Sequence, residues 1–196
     1  MKKSRKTKKY SKPQVSTSGV CEAFGEGGVI FADIRAEFPE ISECGGAGRI
    51  NEFYSSMLAR LYSYAKEELR ALGESEFAAL GSGVARFRFR RYSLVHTYRV
   101  TWSDERHISI LRTLRLTRGS RVLSERAFGE VFDTARGRFV PPESFVTRSA
   151  IRRAFSVEPR IRADLEHKAN FYTDGKRLVF LFGDEGAEVR HAELAR

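Results

Sequence analysis

The sequence predicts an α+β domain: an antiparallel sheet meander covered by a long amphipathic helix and a shorter C-terminal helix. Three observations carry that expectation. Residues 84–140 hold four runs rich in β-branched and aromatic residues, alternating with a period of two and joined by short polar turns. Residues 50–72 place apolar side chains at Ile50, Phe53, Tyr54, Met57, Leu58, Leu61, Tyr64, Ala65, Leu69 and Leu72, the spacing of one helical face. Near the C-terminus, Phe171-Tyr172 and Leu178–Phe182 flank Thr173-Asp174-Gly175, a hairpin signature.

At the N-terminus, Lys2, Lys3, Arg5, Lys6, Lys8, Lys9 and Lys12 put seven positive charges and no acid into the first twelve residues. Ser, Gly and Pro come next without periodicity, so residues 1–27 read as a disordered basic arm and residues 28–196 as a single domain. Val29, Ile30, Phe31, Ile34 and Phe38 predict a first strand, closed by Pro39. The helix over residues 50–72 has Gly73 as its stop signal.

In the sheet block, Phe87 and Phe89 stand opposite Arg86, Arg88 and Arg90 in a first run. A second alternates Leu94, His96, Tyr98, Val100 and Trp102 with Val95, Thr97, Arg99 and Thr101. A third puts Ile108, Ile110, Leu114 and Leu116 on one side, and a fourth Val122, Phe128 and Phe132. Turns fall at 103–106, 118–120 and 133–137, and loops this short favour hairpin neighbours. Pro141-Pro142 ends the block, residues 144–155 read as the shorter helix, and Pro159 breaks any helix continuing toward Leu165.

The formal charge of +10 shrinks once located: without the seven cations of the arm, 28 basic side chains face 25 acidic ones. The folded part is thus mildly basic. No apolar run is long enough to cross a bilayer, and the charged N-terminus leads into Pro13-Gln14-Val15-Ser16-Thr17-Ser18 where a signal peptide needs an apolar core. A cytoplasmic location without a membrane span is the expectation. Cys21 and Cys44 are two free thiols outside any Cys-x-x-Cys spacing.

Searches for chemistry return little. Gly45-Gly46-Ala47-Gly48 lies where a phosphate loop would, but neither the dinucleotide fingerprint nor a Walker Lys-Ser/Thr is present, so it reads as a flexible helix entry. His96, His107, His167 and His191 never approach metal-ligand spacing, and no Gly-x-Ser-x-Gly elbow exists. No cofactor, metal or catalytic cluster is indicated. The candidate contact residues are Arg86, Arg88, Arg90 and Arg91, extended by Arg99, Arg112 and Arg115. As a row on one strand face they would grip an anionic polymer; otherwise they keep a sheet edge from pairing with other chains.

Several short patterns in this order resemble a bacterial domain of unknown function. It forms the extracytoplasmic sensor part of RsiV-type anti-sigma factors and occurs in PdaC-type peptidoglycan deacetylases outside their catalytic domain. The carrying residues are Phe38-Pro39-Glu40-Ile41, Ile50-Asn51-Glu52-Phe53-Tyr54, Ile108-Ser109-Ile110, Phe132-Asp133 with Gly137, and Phe171-Tyr172-Thr173-Asp174-Gly175 before Leu178-Val179-Phe180. Where many members carry Tyr-Thr-Gly-Gly-Ala-His-Gly, this chain reads Leu116-Thr117-Arg118-Gly119-Ser120-Arg121. The resemblance implies the fold and a binding role.

The leading expectation is a non-catalytic binding or sensor-like domain with a protein or glycan partner. The alternative is an accessory nucleic-acid binder using the basic arm and the arginine-rich strand. A third reading is an enzyme assembled only in three dimensions, with His96, His107 and Asp104 as candidates.

Overall fold

The structure is a computed structural model that describes residues 11–81, 83–147, 149, 151, 170–182 and 188–192. Its frame is a mixed six-stranded sheet in the order β1-β2-β3-β4-β5-β6, with a three-stranded sheet β7-β8-β9 beside it. The strands are β1 (Gln14–Glu26), β2 (Val29–Ser42), β3 (Tyr92–Ser103), β4 (His107–Arg118), β5 (Arg121–Asp133), β6 (Arg138–Phe139), β7 (Phe171–Thr173), β8 (Leu178–Phe182) and β9 (Glu188–Ala192).

The first departure from expectation is β1, which occupies most of the segment read as a disordered arm. It pairs antiparallel with β2 from Gln14↔Ser42 to Glu26↔Val29, through the Gly27-Gly28 turn. Its side chains are nearly all exposed, with Phe24 buried and Val15 and Val20 half-buried against the core. An edge strand held by backbone hydrogen bonds needs little apolar periodicity, so its sequence pattern is weak. Residues 1–10 lie outside the described residues.

β2 also runs longer than expected, straight through Pro39. That residue lies beyond Ala32–Ala36, the stretch where β2 is paired on both sides, so its missing amide proton costs no ladder bond there. β2 and β3 pair parallel (Ala32↔Tyr92 to Ala36↔His96), which corrects the purely antiparallel meander. The cause is the helical crossover between them, since a parallel return requires a long connection.

That crossover is one long helix: α1 (Ala47–Ser63), a π-helical segment (Tyr64–Leu69) and α2 (Arg70–Ala79). It buries Ile50, Tyr54, Ala65 and Leu69 against Ile34, Phe38, Leu94, Ile108, Ile110 and Phe132 of the sheet. Each large apolar side chain so buried contributes on the order of 1.5–3 kcal/mol. The π-helical segment inserts one residue into the 3.6-residue register and rotates the buried stripe by about 100°. Leu72, expected in the stripe, is therefore 47% exposed, and Gly73 takes the inward position. Gly73 does not stop the helix: a Cβ there would meet the Phe31 carbonyl oxygen at 2.8 Å, so its role is close approach. Asn51 ties the start of α1 to the end of β2, accepting from Ile41 N (2.8 Å) and donating to Ile41 O (2.9 Å).

The third and fourth runs form β4 and β5 with the expected turns. Ile108 and Ile110 are buried, and Leu114 and Leu116 pack against them, all toward the helix. The first run forms no strand. Residues Gly83–Arg88 make a 3-10 turn, and Arg86 Nε closes it onto Gly81 O at 2.6 Å.

The opposite face of the main sheet carries the small sheet. Tyr172, Val179 and Leu181 pack on Leu111 and Ala127. The Thr101 hydroxyl lies 2.8 Å from both Ser109 Oγ and Thr173 O, and Thr173 N donates to Ser109 Oγ at 2.9 Å. The closing hairpin is thus present as β7 and β8, with β9 as an unexpected third strand. Of the shorter helix over residues 144–155, most lies outside the described residues. Pro142–Ser144 form a 3-10 turn, and one helical bond joins Ile151 N to Thr147 O.

Candidate anion-contact surface

The parallel pairing of β2 with β3 brings three connections to one end of the main sheet. They are the Gly27-Gly28 hairpin, the segment of residues 86–91 leading into β3, and the β4–β5 turn at Gly119. The last two touch: Gly119 N donates to Arg91 O at 3.0 Å, and the Arg90 side chain lies across Gly119 with Cβ, Cγ and Cδ at 3.1 Å from where a Cβ would stand. Gly119 has φ +57, so glycine serves both the turn and the contact.

Four of the seven predicted arginines, Arg86, Arg88, Arg90 and Arg91, gather here, but not as a row on a strand face. Arg86 stacks over Phe77 (4.9 Å), and Arg90 Nη1 donates to the carbonyls of Phe87 (3.0 Å) and Phe89 (2.9 Å). Arg88 is exposed at the end of the turn, and Arg121 is exposed at the start of β5. Among the described residues none of Arg86, Arg88, Arg90 and Arg121 meets a carboxylate. Arg91 does, pairing with Asp33 at 2.7 Å, as do Arg118 with Glu76 (2.7 Å) and Arg70 with Glu26 (3.6 Å). Of the two aromatics that alternate with these arginines, Phe89 points inward, packing on Phe31 and Phe77, whereas Phe87 is 85% exposed.

The proposed extension of the row fails. Arg99 is exposed but sits opposite Leu111, well along β3, away from this end. Arg115 shares its face and is neutralised by Glu125 at 2.8 Å. Arg112 projects to the other face and is buried in the core.

There it organises a polar cluster that sequence reasoning missed. Arg112 donates to both oxygens of Glu130, with Nε to Oε2 at 2.9 Å, and Tyr54 OH donates to the same Oε2 at 2.8 Å. Arg112 Nη1 lies 2.8 Å from Met57 Sδ and 3.2 Å from His96 Nε2. His96 Nδ1 lies 3.0 Å from Glu37 O, so Nδ1 carries the proton and Nε2 accepts from the guanidinium. The ring stacks on Phe38 at 4.0 Å. Burial foremost, and then Arg112, lower the His96 pKa to about 4, while burial and then Glu130 hold Tyr54 as a neutral phenol. Every described polar atom in this cluster has a partner, which marks it as structural.

His96 gives a pH dependence of known sign. Its folded pKa lies below the unfolded value near 6.5, so the unfolded chain takes up the proton first and stability falls as pH drops from about 6.5 to about 4. The expected loss is about 3 kcal/mol across that window at ~1.4 kcal/mol per pH unit. Urea unfolding at intervals through it measures the slope, and a His96→Phe variant with the same slope would assign the loss to other groups.

Of the three residues in the three-dimensional enzyme reading, the structure brings His107 and Asp104 together, with Nδ1 3.6 Å from Oδ1, and leaves His96 apart. His96 pairs with Leu114, seven positions along β4 from His107, or about 23 Å at ~3.3 Å per residue. Asp104 Oδ1 accepts from Arg106 N and His107 N at 2.7 Å each, closing the β3–β4 turn. A mostly apolar cleft of about 730 Å³ beside β5 has Glu130 in its wall, but Arg112 and Tyr54 occupy that carboxylate. The glycine run is a packed contact rather than a flexible entry. Gly46 N donates to Thr134 O (2.7 Å), and a Cβ on Gly46 would stand 2.1 Å from Gly137 N. Among the described residues, no three His, Cys, Asp or Glu side chains gather as a metal site, and no helix is long and apolar enough to cross a membrane. Cys21 and Cys44 are unpaired.

Comparison with known proteins places this architecture beside a DUF3298 family protein of Bacteroides fragilis, 11% identical over 87% of this chain and 83% of that one, with a TM-score of 0.49. A DUF3298 family protein of Pseudomonas aeruginosa is 7% identical over 87% of this chain and 81% of its own, with a TM-score of 0.46. No family model matches the sequence, and no curated protein matches it.

Proposed function

We propose that this chain is a non-catalytic binding module, akin to the RsiV-type sensor domain it resembles, and that it takes an anionic partner at the arginine-rich end of its main sheet. The observation that supports this is local charge imbalance. Arg86, Arg88, Arg90 and Arg121 have no carboxylate partner among the described residues, while neighbouring Arg70, Arg91 and Arg118 are matched. Two of the four have backbone bonds that fix their guanidinium groups, so less side-chain entropy is lost when they meet an anion. Nucleic acid is the second reading, favoured by the same arginines acting with the seven cations near the N-terminus.

Retention of the full chain on heparin-agarose tests the charge reading. An Arg88→Glu/Arg121→Glu variant is expected to elute at clearly lower salt than an Arg60→Glu/Arg99→Glu variant, which carries the same net change elsewhere on exposed positions. Equal elution of the two would remove this surface as the contact and leave only net charge.

A further inference from the structure

We infer that the partner of this surface is an anionic lipid bilayer, with the arginines on its headgroups and Phe87, Val122 and Leu123 entering the boundary between headgroups and acyl chains. The inference rests on the binding reading above and names its partner.

Large exposed apolar side chains are unevenly distributed. Of the seven among the described residues, five (Ile30, Leu72, Phe87, Val122 and Leu123) lie toward the end that holds the unmatched arginines. Ile30 comes just after the Gly27-Gly28 hairpin, and Leu72 adjoins Gly73 where the helix meets Phe31 at the start of β2. Val122 and Leu123 sit just past the Gly119 turn, 49% and 42% exposed. There a bulge pairs Thr117 with Val122 and Leu116 with Ser124, leaving Leu123 as the extra residue. The remaining two, Val100 and Phe139, lie toward the opposite end, near the β3–β4 turn.

The chemistry of these side chains selects the partner. Nucleic acid rewards planar groups that stack on bases, and of the five only Phe87 is planar. A protein partner rewards one continuous apolar patch ringed by polar groups. Here the exposed apolar side chains come from separate elements, β2, α2, the 3-10 turn and β5, at the end that also carries the unmatched arginines, the composition of a surface that lies on a headgroup layer. Each cation brought close to an anionic leaflet raises partitioning about fivefold, and four unmatched ones at a single end act together.

The test is co-sedimentation of the full chain with vesicles of phosphatidylcholine alone and of phosphatidylcholine mixed with phosphatidylglycerol. The parent is expected to pellet with the mixed vesicles only. A Phe87→Ser/Val122→Ser/Leu123→Ser variant is expected to bind them about tenfold less tightly while its heparin retention is unchanged. Because Phe87 is so exposed, a Phe87→Trp variant folds independently of this outcome. Its added fluorescence should shift to the blue on the mixed vesicles and not on phosphatidylcholine.

A parent held by heparin that ignores both vesicle types overturns the lipid inference and leaves the anionic-partner reading standing. A triple variant that pellets as well as the parent, or an unshifted Phe87→Trp emission, overturns it too. Loss of single-stranded RNA binding in the Phe87→Ser chain without vesicle binding in the parent replaces lipid by nucleic acid. A parent that binds neither heparin nor vesicles removes both proposals together.

Discussion

An Arg112→Ala chain is expected to lose about 3–5 kcal/mol of stability, the cost of stranding a buried charge. Arg112 and Glu130 are 5% and 8% exposed, and the guanidinium supplies a donor to each carboxylate oxygen. Removing it leaves Glu130 with only the Tyr54 hydroxyl and leaves His96 Nε2 without its donor. The remaining carboxylate must then either stay charged in a dry core or take up a proton. An Arg112→Met/Glu130→Leu chain removes both charges and should recover most of the loss, since a paired buried charge offers little net stability over apolar residues of similar size. Urea midpoints of the two variants decide the matter. A single variant no less stable than the double would mean that the pair is not a coupled unit.

The second large effect is expected at Gly129. It lies on β5 with its Cα facing the small sheet, and a Cβ there would stand 2.3 Å from the Phe171 carbonyl carbon and 2.7 Å from Tyr172 N. Neither neighbour is a flexible side-chain end, so β7 must move as a whole. Movement would also strain the Asn170 side chain, which accepts from Gly129 N at 2.6 Å and donates to Ala127 O at 3.1 Å. Gly129→Ala should cost about 3 kcal/mol, the upper end of overpacking, and open β7 and β8 to proteolysis. Gly48→Ala is the matched control, because nothing lies within 4 Å of its Cβ position and it sits in α1. There alanine should stabilise by about 0.5–1 kcal/mol. An unchanged urea midpoint for Gly129→Ala would show that the two sheets are not locked at this point.

What the sequence made legible was governed by side-chain periodicity. The alternation of Ile108, Ile110, Leu114 and Leu116 located β4 and its buried face, and the Asp133 and Gly137 turn and the Thr173-Asp174-Gly175 turn fell where expected. Elements held mainly by backbone bonding stayed hidden. β1 adds to the edge with almost no apolar pattern, and one extra residue in the π-helical segment silently exchanged Leu72 for Gly73. The alternation near residue 86, read as a strand, proved to be a 3-10 turn, because a strand needs a neighbour and β2 is matched with β3 only from Tyr92 onward. Arg112 looked like one more member of that row; its position one residue out of phase with Leu111 and Thr113 was the signal that put it on the core face. The pairing of Arg112 with Glu130 joins residues on adjacent strands, which spacing along one chain does not reveal.

The parallel seam has a consequence for how the fold comes together. β1 with β2, and β3 with β4 and β5, are hairpins whose partners lie close in sequence, so each can close at little entropic cost. The seam is different: it joins residues sixty positions apart, through five register pairs against thirteen for β1 with β2. It is expected to be one of the slow, non-local steps of assembly, with the helix lying across both halves to hold it. Mechanically the domain is two zipped ribbons joined by a short suture, with the helix as the bar laid over the join.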